Sequence, residues 1–299
     1  MAKNGVEQTP SDTAMFAALR RAIANKDYKN AKLGPDHLAE YFLPAYFRFF
    51  LKIKPIRANA RRRLDTYFPG LTEYMIARTA YFDRLFVEAL DSETPQIVLL
   101  GAGYDTRAYR FARSNRCTRI YELDVPTTQT RKIEYLRKAR IVIPDQVRFV
   151  PINFNQESLA ETLAKAGYRN DLKTLFIWEG VTYYLEQEAV AATLEFISQA
   201  AHPESAIAFD YTVSLSEENK QRYYGAEEFA KTMNVYHANE ELLFSIQEGE
   251  IEKYLLQRGL RMLDHLDHEE IESTFLQAAD GSSLGRITGH FRFVKAAAC

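Results

Sequence analysis

The stretch Ile97-Val98-Leu99-Leu100-Gly101-Ala102-Gly103 constrains this chain more than any other. An apolar run that breaks at once into two closely spaced glycines is expected to be a buried strand turning sharply into a helix. Glycines there let the backbone approach a ligand, and the helix start that follows points free N–H groups at it. From Gln96 onward, short β-branched or aromatic runs alternate with helical segments, the pattern of βαβ units and a mostly parallel sheet. Strands are expected near residues 97–100, 119–123, 147–152, 174–178 and 206–211, with helices between them starting near Thr106, Pro126, Gln156 and Glu186.

No strand pattern precedes Gln96. Residues 1–10 are polar and expected to fray, and Ser11 or Asp12 is placed to cap a helix carrying Met15, Phe16 and Leu19. Helical periodicity recurs at residues 38–50, weakly at 56–67 and strongly at 71–90. After Thr212 the chain is expected to be helical over residues 216–257 and to end in strands near 260–266 and 289–294. One α/β domain follows: a helical cover (1–90), a cofactor-binding core (91–213), a helical insertion beside the site (214–257) and closing strands (258–299).

Hydrophobic residues make up 46% of the 299 residues and charged ones 26%, enough to bury a large core. A net charge of -2 gives no global attraction to nucleic acid or to an anionic membrane, so any such affinity must come from a local patch. The densest basic stretch, residues 48–63, holds Arg48, Lys52, Lys54, Arg57, Arg61, Arg62 and Arg63 among aromatics. It suits an anionic acceptor or an acidic protein partner, or simply a solvated helix face. No apolar run reaches the roughly 18 residues a membrane helix needs, and residues 1–12 lack the apolar segment of a secretory signal. Cys117 and Cys299 lie far apart and make no metal-ligand spacing. A cytoplasmic enzyme is expected, with monomer and dimer both open.

A dinucleotide site wants a third glycine three residues after Gly103, where this chain has Thr106, and Asp105 would oppose a pyrophosphate. S-adenosylmethionine carries no phosphate. It needs room for its amino-acid part beside the glycines and an acid for its ribose hydroxyls. The second strand ends Tyr121-Glu122-Leu123-Asp124, where an acid at the carboxyl edge can accept hydrogen bonds from a ribose diol. Period-2 alternation puts Glu122 and Asp124 on one side and does not choose between them; an acid capping the helix at Pro126 is the alternative.

The run from Leu100 to Arg107, followed by Tyr121-Glu-Leu-Asp-Val-Pro126, resembles the leucine carboxyl methyltransferase family and its bacterial relatives of unassigned substrate. Two further motifs extend the likeness, Ala77-Arg-Thr-Ala-Tyr-Phe-Asp83 and Trp178-Glu-Gly-Val-Thr-Tyr-Tyr-Leu185. The resemblance implies a Rossmann-like class I methyltransferase sheet, mostly parallel with an antiparallel C-terminal strand, and S-adenosyl-L-methionine as cofactor. It also implies roles: Arg78 pairs with the methionine carboxylate, Gly101 contacts the cofactor, Asp124 rather than Glu122 holds the ribose, and Glu179 lines the pocket; Ala102 and Gly103, in the same turn, are expected to contact the cofactor too. For Arg78 a surface ion pair with Glu73 or Asp83 is the alternative. Asn153, Phe154 and Asn155 stand where the family often has an Asp-Leu near the adenine, followed by an arginine in the leucine branch. Asparagine still offers a carbonyl to an amino group; the missing arginine argues against a leucine carboxylate as substrate.

A sulfonium methyl is already activated, so catalysis is mainly positioning and exclusion of water. Tyr183 and Tyr184 follow the fourth strand at the edge where open sheets bind ligands. Tyr184 matches the family tyrosine and is expected to face the acceptor, with packing under the N-terminal helices as the alternative. His202, His237, His265, His268 and His290 form no pair, and Cys299 is given no role. The expected activity is O-methylation of a carboxyl or hydroxyl group on a small molecule. A non-catalytic cofactor-binding protein and a protein C-terminal carboxyl methyltransferase are the competing readings.

Overall fold

The computed structural model describes residues 11–28, 35–154, 156–236 and 242–299. Helices α1 (Asp12–Asp27), α2 (Ala45–Lys52), α3 (Lys54–Tyr67) and α4 (Leu71–Asp91) precede any strand. Ser11 is the cap of α1, its hydroxyl accepting from the Ala14 N–H. The alternating part then runs β1 (Gln96–Leu100), α5 (Arg107–Arg110), β2 (Arg119–Asp124), α6 (Pro126–Lys138), β3 (Val147–Pro151), α7 (Leu159–Lys165), β4 (Thr174–Trp178), α8 (Gln187–Ala200) and β5 (Ala206–Thr212). Elements α9 (Ala226–Tyr236), α10 (Ile251–Leu256), β6 (Leu260–Leu266), α11 (His268–Phe275) and β7 (Phe291–Ala298) complete it.

The seven strands form one sheet in the order β3-β2-β1-β4-β5-β7-β6. Strands β1 to β5 are mutually parallel, and β7 runs antiparallel to both β5 and β6. This is the Rossmann-like class I arrangement expected from the sequence. Ile97 and Leu99 of β1 pack into one apolar cluster with α1 and α4, while Val98 and Leu100 pack into the other with α7, α8 and α10. A strand covered on both faces has no solvated side, which is why β1 and β4 are apolar at every position after their first residues, Gln96 and Thr174. Strand order reverses between β1 and β4, so the crevice at their carboxyl ends is where such a sheet takes a ligand.

Three expectations change. Residues 216–257 are not continuously helical: among the described ones there is a single turn at Lys220–Arg222, then α9, then extended chain before α10. Ser216 and Asn219 exchange side-chain and backbone hydrogen bonds that compete with a helix. The last strand begins at Phe291 and runs on through Lys295-Ala296-Ala297-Ala298. Alanine propensity argues for helix there, but pairing on both sides overrides it. The helix after Thr106 lasts one turn. Residues 1–10, Asn155 and His237 lie outside the described residues. Among those described, no helix is long and apolar enough to cross a membrane.

His290 is buried among the rings of Phe229 and Phe291, at centroid distances of 4.9 and 4.4 Å, and neither ring nitrogen hydrogen-bonds a described residue. Burial, reinforced by nearby Arg292, pushes its pKa down to about 3. Below pH 6.5 the unfolded chain therefore takes up a proton that the folded chain refuses. Stability falls with pH from there down to the folded pKa, by about 1.4 kcal/mol per unit. His290→Leu is expected to flatten the dependence between pH 6.5 and 4.5 without loss at pH 8, as read by chemical denaturation at each pH.

Candidate cofactor and acceptor site

At the carboxyl edge of β1 and β4 a cavity of about 550 Å³ opens beneath α1, α4 and α9. Its floor is the glycine turn. Gly101 takes φ +66°, and a Cβ on it would stand 2.5 Å from Cγ2 of Val181, so both the conformation and the space demand glycine. The Gly103 N–H donates to Oδ2 of Asp124 at 2.5 Å, and the Val125 N–H to Oδ1 at 2.7 Å. Asp124 thereby ties the end of β2 to the turn after β1 and still lines the cavity. Burial pushes its carboxyl up, against the pull of those two N–H groups.

The two acids of β2 part company. Glu122 is sealed beneath α6, its Oε2 2.7 Å from Nζ of an equally buried Lys132. Asp124, at the strand end, is the one open to the cavity.

Arg78 enters from the middle of α4, with Nε 2.9 Å from Oε1 of Glu179 and Nη1 3.4 Å from Oδ2 of Asp210. Nη1 also donates to the Tyr183 hydroxyl at 3.1 Å. The guanidinium lies flat on Gly180, where a Cβ would meet Nη1 at 2.9 Å. Burial alone would lower the Arg78 pKa; Glu179, Tyr183 and Asp210 outweigh it and hold the guanidinium firmly charged. The surface partners considered from sequence are engaged elsewhere: Glu73 with Arg61 at 2.8 Å, Asp83 with Arg107 and Arg110 at 2.9 and 2.6 Å.

From Glu179 the ion pairs continue. Its Oε2 lies 2.7 Å from Nη1 of Arg107, which also contacts Asp105. Arg107 and Arg110 share Asp83. Arg110 reaches Asp36 at 3.5 Å, and Asp36 holds Arg21 of α1 at 3.1 Å. Arg21 closes the run by donating to the Tyr104 carbonyl at 2.8 Å, beside the glycine turn. Burial would raise the Asp105 carboxyl, but Arg107 outweighs it and holds it low.

Sequence reasoning missed Asp210, the anchor of Arg78. It sits on β5, buried, accepting from the Gly180 N–H at 2.6 Å and the Tyr74 hydroxyl at 2.5 Å. The signal was there in Phe209-Asp210-Tyr211: an acid inside an apolar strand whose Phe209 pairs with Trp178, the residue before Glu179. Arg107, Arg110, Asp36 and Arg21 were also unassigned, and Asp83 was considered only as a partner for Arg78, because their mutual contacts join segments distant in sequence.

Asn153 and Phe154, just past β3, line the cavity, with the Asn153 N–H donating to Glu157 at 2.8 Å. Tyr184 lines it while half-buried; Tyr183 is deeper, against Tyr184 and Phe291. One wall is apolar, formed by Met75 and by the rings of Phe16, Phe68, Phe229 and Phe291 in successive contact. Among the described lining residues there is neither a histidine nor a lysine.

Glu179 is the shared link between Arg78 and Arg107, and removing it strands buried donors of both, although Asp210, Asp83 and Asp105 still balance their charge. Glu179→Ala is expected to cost about 1 to 3 kcal/mol in denaturant unfolding. A loss below about 1 kcal/mol would show that the two arginines need no common partner.

Residues 14–198 match the leucine carboxyl methyltransferase family. YktD of Bacillus subtilis, named as an S-adenosyl-L-methionine-dependent methyltransferase, is 30% identical over 67% of this chain and 65% of its own length. A Mycolicibacterium smegmatis protein of similar name is 32% identical over 68% of this chain and 67% of its own. The chain thus spans about two thirds of these relatives. A solved structure from Thermobifida fusca, named as a methyltransferase, superposes with a TM-score of 0.58 over 97% of this chain and 95% of its own, at 14% identity, a likeness of fold alone. With more than half its length matched, the chain belongs to the leucine carboxyl methyltransferase family.

Proposed function

We propose that this protein transfers a methyl group from S-adenosyl-L-methionine to an oxygen of a small, largely apolar molecule, and that this oxygen belongs to a carboxylate. The donor set fits the cofactor. Asp124 spends one acceptor site of each oxygen on Gly103 and Val125, and a carboxylate has about four, so sites remain for a ribose diol. The turn at Gly101, Ala102 and Gly103 leaves room for close approach, while Asn153 and Phe154 offer a polar edge and a ring to an adenine. Arg78 and Glu179 present both signs of charge to an amino-acid moiety, and Arg78 keeps Nη2 beyond its contacts with Glu179, Asp210 and Tyr183.

When bound, the cofactor supplies an electrophilic methyl group that needs no further activation. The protein's part is to hold, align and dry. The apolar wall takes the body of the acceptor and excludes water, which strengthens the charged contacts of the cavity. Tyr184 is assigned to contact the acceptor from the edge of that wall.

The observation that carries the carboxylate is how the described acids of the lining are already engaged beside an apolar wall. A hydroxyl or amine acceptor must lose a proton during transfer, which calls for a base near neutral pKa. The lining has no imidazole or amine among the described residues; of its carboxylates, Asp36, Asp105 and Glu179 are bound to arginines, Asp124 is held by the Gly103 and Val125 N–H groups and assigned to the ribose, and Glu186 is exposed to solvent. Tyr74 and Tyr183 are pushed far up, first by burial and then by Asp210, and are poor bases. A carboxylate arrives already ionised.

Calorimetric titration with S-adenosyl-L-methionine is expected to show one site, weakened by about 1 to 3 kcal/mol in both Arg78→Ala and Asp124→Ala, each of which strands a polar group. Absence of binding to the folded wild type would end the proposal. With a competent acceptor, kcat/KM should stay flat from pH 6 to 8; a rise of about tenfold per unit would mark a hydroxyl instead.

A further inference from the structure

One feature of the N-terminal helices takes no part in the cavity. On α2, Tyr46, Phe49 and Phe50 stand at i, i+3 and i+4, on one face, and are 59%, 62% and 44% exposed. Ile56, at the start of α3, adds a fourth apolar side chain at 42%. The other side of α2 is spent on the fold, with Leu51 buried and Phe47 against the core.

The charge that α2 and α3 themselves carry up to Leu64 has one sign; the acids beside them, Asp27, Asp65 and Glu73, pair with Arg57 and Arg61. Residues 45–64 contain no Asp or Glu. Two of their seven cations are consumed internally, Arg57 by Asp27 at 2.6 Å and Arg61 by Glu73 at 2.8 Å. Lys52, Lys54, Arg62 and Arg63 are exposed.

We propose that the α2–α3 segment is a docking face for an anionic membrane surface, with the aromatic rings entering the headgroup layer and the lysines and arginines meeting lipid phosphates. The occupant is argued from charge and shape. A two-fold contact between copies of this chain would set these cations against their own images. A protein interface favours aromatics and arginine but is depleted in lysine, whereas an interfacial helix combines exposed rings with lysine and arginine. The contact is one-sided and spans nothing. The far end of α3 leads to the cavity, where Phe68 is part of the apolar wall. The proposal stands whether or not the acceptor is a carboxylate.

The test is flotation of the full-length protein with phosphatidylcholine vesicles and with vesicles containing phosphatidylglycerol. Binding is expected to the anionic vesicles only, and to fall when salt is raised from 0.1 to 1 M, which shortens the screening length from about 10 to 3 Å. K52E/K54E and F49S/F50S are each expected to reduce it by about tenfold or more, with melting temperature and cofactor affinity unchanged. No flotation, equal flotation with neutral vesicles, or flotation unaltered in both variants would overturn the assignment. So would a dimer abolished by F49S/F50S, or retention on polyglutamate without any on vesicles.

Discussion

Opposite charges alternate through the centre of this molecule: Asp210, Arg78, Glu179, Arg107, Asp83, Arg110, Asp36, Arg21. Each neighbour in that series belongs to a different segment or answers to two others. β5 and the residue just after β4 supply the first acids, α4 the first arginine and Asp83, α5 the next two arginines, and α1 the last. The run therefore fixes where the helical cover sits over the sheet. Burying so many charges is costly unless every one has a partner, and here the alternation provides it. The stability gain over an apolar core is small by this logic; the gain is in geometry. A guanidinium pinned by Glu179 and Asp210 and laid on Gly180 has one position available.

That dependence explains what could and could not be seen in the sequence. The fold was legible because its signals are local. Strands β1 to β5 and the first turns of α6 and α8 lie where apolar periodicity, Pro126 and the Glu186 region place them. What failed locally was overruled by pairing. The alanines of β7 are strand because β5 and β6 flank them, and residues 216–257 break where Ser216 and Asn219 satisfy their own backbone.

At the site, the acid of β2 illustrates the same limit. Strand alternation makes Glu122 and Asp124 equivalent, and only the position of Lys132 on α6 separates a sealed ion pair from a cavity-facing carboxylate. Arg78 was visible as a residue suited to pairing, but its partners were not, since Glu179 and Asp210 lie one hundred and more positions downstream on neighbouring strands. Motif spacing records which residue types meet a ligand. The contacts that aim them are long-range, and a single chain carries no local mark of those.

Strand β7 lies inside the sheet although it is the last strand to be made. Until residues 291–298 have been synthesised, β5 presents an unpaired edge and β6 has no neighbour in the sheet. The sheet is thus completed by insertion, through contacts between distant parts of the chain, a step that topology makes slow. During that interval the exposed edge of β5, with Ile207, Phe209 and Tyr211 along it, is the surface on which misassembly between nascent molecules would begin.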